Sequence, residues 1–81
     1  MNKTEVRSII ESTLKSGSKN PGLFDLPKIL SLKTKLESCT AIDDVVGILE
    51  DHRGLVTKAF GLGDTAFNEG VNKLMALKKI S

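Results

Sequence analysis

The sequence predicts an all-α fold, a compact bundle of four short amphipathic helices, or five if Gly54 breaks the third. Three observations lead there. Apolar residues recur at three- and four-residue steps in four separate stretches. Residues that favour helix starts (Asn2, Asp25, Thr40 and Asp64) stand before those stretches. Among the rest, only Gly54–Lys58 could be extended, and no second run matches it, so no strand pair is expected.

The first helix is expected from Lys3 to Ser16. Asn2 is its N-cap, with Glu5 three residues on, the spacing of a capping box. Val6, Ile9, Ile10, Thr13 and Leu14 share one face. Arg7, Glu11 and Lys15 follow one another at four-residue steps on the other side, where opposite charges support an exposed helix. Gly17 supplies a stop. The next stretch, to Asp25, is rich in turn formers and reads as a loop, with Leu23 and Phe24 expected to fold back onto the core.

Asp25 resembles an N-cap and Pro27 fits a first helical turn. The second helix then runs to Ser38, with Leu26, Ile29, Leu30, Leu32 and Leu36 on one broad face. Lys33 falls inside that apolar arc. It is expected to snorkel outward near Glu37, the alternative being that it marks where the apolar face meets a partner.

Thr40 is expected to open the third helix, with Asp43 and Asp44 in the first turn, where the helix dipole favours negative charge. Ile42, Val45, Val46, Ile48 and Leu49 form its stripe. Arg53-Gly54-Leu55 resembles a stop, yet the apolar phase continues through Val56, Ala59 and Phe60. A break at Gly54 and a helix continuous to Phe60 are equally expected, since an interior glycine costs only about 1 kcal/mol relative to alanine. Gly61-Leu62-Gly63 is a tight connection, and Asp64 is expected to cap the last helix. Its apolar face holds Ala66, Phe67, Gly70, Val71, Leu74, Met75 and Leu77, and Gly70 would let another helix approach closely.

The 81 residues make a single helical domain, 1–81, near the lower limit at which an unassisted core works. A composition 40% hydrophobic and 27% charged argues against disorder. The core is thin all the same, and burial against a partner or a second copy would help it. Cys39 is the only cysteine, which excludes an intrachain disulfide and suits a reducing compartment. The first residues lack the apolar region of a signal peptide, and no run approaches the roughly 18–20 apolar residues that span a bilayer. The expected location is the cytoplasm, with no membrane partner.

Chemistry finds little support. Cys39 and His52 stand alone, without a companion at ligand spacing, so no metal or other cofactor is expected. His52 is expected at a helix end and Cys39 as a small buried residue. The adjacent pairs Asp43–Asp44 and Glu50–Asp51 point about 100° apart on a helix and do not converge on one substrate atom. Gly61-Leu62-Gly63-Asp64-Thr65 lacks the lysine–hydroxyl end and the preceding strand of a phosphate loop. It also lacks the serine that a carrier-type attachment site would need. No nucleophile, base and stabiliser can be assembled, so neither catalysis nor a small-molecule substrate is expected.

The sharpest pattern is Val56–Leu62 followed by Asp64–Leu74, which resembles a helix-turn-helix. Thr57 takes the small position, Gly61 the turn glycine, and Val56, Phe60, Leu62, Phe67 and Val71 the packing positions. The resemblance implies that Thr65, Asn68, Asn72 and Lys73 face bases or phosphates. Several features work against it: Thr57 where alanine is usual, Gly70 where a larger residue is usual, and Asp64 and Glu69 near phosphates. A net charge of +2 with a pI near 8.8 is mild for a nucleic-acid domain, and the lack of Trp and Tyr leaves little for base stacking. The plainer expectation is a hairpin that merely reverses the chain. The leading functional expectation is therefore a non-enzymatic interaction module presenting a helical surface to a protein partner or, as a homodimer, to a second copy. The alternative is a small DNA-binding regulator using residues 56–77.

Overall fold

The computed structural model describes residues 1–80. It is all-α, with five helices among them: α1 (Lys3–Lys15), α2 (Leu26–Glu37), α3 (Ile42–Asp51), α4 (Arg53–Phe60) and α5 (Asp64–Ile80). α1 starts as its cap dictates, with Asn2 Oδ1 accepting the Glu5 backbone N–H at 3.1 Å. Beyond its end the chain lies close to the start of the α4–α5 turn. Lys19 N–H donates to the Phe60 carbonyl at 3.2 Å and Ser18 N–H to that of Gly61 at 3.3 Å. A side chain at Gly17 would run into the Phe60 carbonyl, so glycine is required for this approach.

α2 begins differently from the expectation. The Asp25 side chain makes no capping bond, and its backbone is already helical. The backbone N–H groups of Asp25 and Leu26 instead donate to the Gly22 carbonyl at 3.1 and 2.9 Å, closing a turn that leads straight into the helix. That turn overturns the expected burial of Leu23 and Phe24. Their backbone is committed to the end of the bundle, and the side chains project into solvent, 88% and 92% exposed. Pro27 does sit in the first turn, where its missing N–H costs nothing.

α3 opens at Ala41, one residue after Thr40. The extended Ala41 presents its carbonyl to Asp44 and Val45 N–H at 3.2 and 3.3 Å. The break that follows falls at His52, neither at Gly54 nor absent. His52 has φ −113° and ψ 18°, and its Nδ1 lies 2.8 Å from the Ile48 carbonyl oxygen, which also accepts the His52 backbone N–H at 3.2 Å. Only one residue is displaced. Val56 N–H bonds the His52 carbonyl at 3.0 Å, so α4 restarts almost at once, with Gly54 in its first turn. The apolar phase survives, and Val45, Leu49, Val56 and Ala59 are all buried.

α4 ends at Gly61, whose φ of +63° is open to glycine and strained for other residues. Leu62 N–H donates to the Thr57 carbonyl at 2.9 Å, and the buried Leu62 seals the turn. Phe67 N–H donates to the Gly63 carbonyl at 3.1 Å, so Gly63 holds the cap position and Asp64 is the first helical residue. The cap therefore lies one residue before the predicted one, and the Asp64 carboxylate stands 3.5 Å from Arg53.

α5 is the centre of the packing, against α1, α3 and α4, while α3 also carries α2. As predicted, Gly70 allows close approach. A Cβ there would lie 2.5 Å from Thr13 Oγ1 of α1. Val45, Val56 and Leu74 are the most deeply buried large side chains. α1 packs on α5 and α2 on α3, and α1 with α2 is not among the main helix pairs. Among the described residues, no helix is long and apolar enough to cross a membrane.

Candidate functional site

α2 carries more apolar surface than the bundle covers. At 100° per residue its arc runs from Leu32 through Leu36, Ile29, Lys33 and Leu26 to Leu30, spanning about 160°. Only the Leu32 edge is buried. Leu36 and Ile29 are half-buried, and Leu26 and Leu30 remain 43% and 54% exposed. The part of the arc from Leu32 to Lys33 faces α1, whose Val6, Ile10 and Leu14 form the opposite wall of a groove, and Leu26 and Leu30 lie beyond its lining. Leu49 and Val56 of the core and Phe60 lie against its base. The space between the walls is about 280 Å³ and open to solvent along one side.

Charge sits at the rim. Lys3, Arg7 and Lys33 contribute cations there, and Glu11 and Glu37 contribute anions. One end is strapped, since Lys3 Nζ donates to the Glu37 carbonyl at 3.2 Å and Arg7 lies 3.8 Å from the Glu37 carboxylate. Both partners of that ion pair are half-exposed or more, so it is a weak closure. Glu37 thus pairs with Arg7 and not with Lys33, as the sequence had suggested. Lys33 is exposed and makes no ion pair among the described residues.

Thr65, Asn68, Asn72 and Lys73 are all exposed on α5. Asn68 is already engaged, its Oδ1 accepting from an Arg53 guanidinium nitrogen at 2.6 Å. Arg53 also meets the Glu50 carboxylate through two bonds of 3.2 and 3.0 Å and lies 4.4 Å above the centre of the Phe67 ring. Its pKa is raised above the usual value, chiefly by the Glu50 hydrogen bond. Arg53 therefore fastens α3, α4 and α5 together. Sequence reasoning did not assign it this role. The three-residue spacing of Glu50 and Arg53 was the only local hint, because Asp64, Phe67 and Asn68 arrive through the Gly61 turn.

His52 ends α3 with its ring on the Ile48 carbonyl. Cys39 is buried, with Sγ 3.4 Å from the Lys35 carbonyl oxygen. Burial pushes its thiol pKa up, and the nearby Asp44 charge adds to the rise. A thiol so placed is poorly ionised and weakly nucleophilic near neutral pH. Among the described residues, no three metal-ligating side chains gather. No protein family, curated protein or solved structure matches the chain.

Proposed function

We propose that this protein is a non-enzymatic interaction module that receives an apolar helix of a partner protein along the α1–α2 groove. One observation carries the reading: the apolar arc of α2 lines the groove with Ile29, Leu32 and Leu36 and runs on past that lining to exposed Leu26 and Leu30. Isolated exposed apolar residues are ordinary, but a run that joins a cleft is the usual mark of a binding surface. A helix laid in such a groove anchors itself by apolar residues at three- and four-residue steps.

A second reading, binding of duplex DNA by α4 and α5, draws support from the left-handed Gly61 turn and the exposed Thr65, Asn72 and Lys73. It is weakened by the engagement of Asn68 and by the exposed carboxylates Asp64 and Glu69. One experiment separates the two. A photoreactive amino acid is placed at Lys33, an exposed residue of the groove lining, or at Asn72 in the native cell, and adducts are identified after irradiation. The groove reading expects protein adducts from position 33 and none from position 72. DNA adducts from position 72 alone would establish the second reading, and the absence of adducts at position 33 would overturn the first.

A further inference from the structure

We propose that α2 is a hinged flap that lifts off the bundle and melts as one unit while α1, α3, α4 and α5 stay packed. This holds whatever enters the groove, and it follows from how little of α2 is tied down. α5 packs against α1, α3 and α4, and α3 against α4, so those four helices hold one another without α2. α2 has α3 as its one main neighbour. Leu32 alone among its residues is buried, with Ile29 and Leu36 half-buried beside it. α3, by contrast, buries Ile42, Val45 and Leu49.

The chain is fastened to the bundle on both sides of this segment. Before it, the Ser18 and Lys19 N–H groups donate to the carbonyls of Gly61 and Phe60. After it, Cys39 and Ile42 are buried. The stretch 20–38 between these anchors can leave without pulling either one out. Among the described residues, its hydrogen bonds and ion pairs to another helix are all at Glu37, with Lys3 and Arg7. Bonds that exposed contribute little.

The two ends of α2 are also unequal. Glu37 and the buried Cys39 hold the C-terminal end, which makes it the pivot. At the other end Asp25 makes no capping bond, and Leu23 and Phe24 stand in solvent. Towards α1 there is no main helix contact to break, because the groove already separates the two. A helix as short as α2 is marginal in water on its own, so lifting and melting coincide. The opened form lacks one wall over Leu49, Val56 and Phe60 at the base of the groove.

Amide exchange of the full chain, followed residue by residue by NMR, tests this, since exchange reads rare openings of ordered segments. Residues 30–36 of α2 are expected to share one level of protection, at least about tenfold below that of residues 71–77 of α5. Residues 9–14 of α1 should keep the higher level. Low urea should lower protection less steeply in α2 than in α5, because lifting α2 exposes less surface than unfolding the chain.

Val71→Ala supplies the sharpest comparison. Val71 is half-buried on α5, beside Ile10 and Leu14 of α1 and away from α2. Its truncation weakens contacts that survive the lifting of α2. Protection of residues 71–77 should therefore fall several-fold while that of residues 30–36 keeps its value. Equal protection of α2 and α5, or a parallel fall in both with Val71→Ala, would mean that α2 leaves only when the whole chain unfolds and would overturn the proposal. So would low protection shared by α1 and α2, or protection in α2 that fades gradually from the Gly22 end, the mark of simple fraying.

Discussion

Gly61 and Gly47 show how differently one residue type serves this chain. At Gly61 the backbone is left-handed, and a Cβ would also collide with the Ser18 side chain. Gly61→Ala is expected to destabilise the protein by at least about 1–2 kcal/mol. Gly47 lies on the exposed side of α3, and a methyl group added there would meet nothing within 4 Å. Gly47→Ala should stabilise by about 0.5–1 kcal/mol, since it removes only unfolded-state freedom and adds helix propensity. Urea unfolding with unchanged slopes checks both, and shifts of the same sign would contradict the account. Legibility at this scale followed distance along the chain. The Asn2–Glu5 cap is local and was readable from spacing alone. Arg53 was not, because the groups it holds are brought together only when the α4–α5 turn closes.

Helices came through more faithfully than their ends. Periodicity places the apolar side of each segment, and Val6, Leu32, Val45, Val56 and Phe67 are buried on the sides it indicates. Ends are decided by competition among nearby hydrogen-bonding groups. Gly63 takes the cap position expected of Asp64, and the Gly22 turn leaves Leu23 and Phe24 in solvent. The break before α4, one of two alternatives the sequence left open, falls at His52 and not at Gly54, and because only one residue is displaced the apolar phase stays intact. The contact of α1 with α5 depends on the space at Gly70, which the sequence did disclose. Gly70→Val would force the Thr13 side chain aside and is expected to cost about 1–3 kcal/mol by overpacking. Thermal denaturation should show the loss, and combining it with Thr13→Ala should recover part of it. No recovery would mean that the strain lies elsewhere.

A domain of this size has a total stability of roughly 4–12 kcal/mol, scaled from typical values per residue. Leu74, 1% exposed, lies at the heart of the packing, and Leu74→Ala is expected to cost about 2–5 kcal/mol. That change should bring the chain near its unfolding threshold at physiological temperature, which a circular dichroism melt would register. The separation of α1 from α2 was the part of the candidate site that the sequence concealed. Periodicity identifies an apolar face but does not say what covers it, and here Lys33 inside the arc was the single trace. The consequence of that open groove reaches beyond recognition. Its base includes Leu49 and Val56, residues of the core itself, so an occupant would in effect lend the protein missing interior. At a hundredfold excess over its dissociation constant such an occupant adds about 2.7 kcal/mol, a substantial share of the whole. Survival against cellular proteases would then follow the supply of the partner, and an orphaned chain would be the short-lived one.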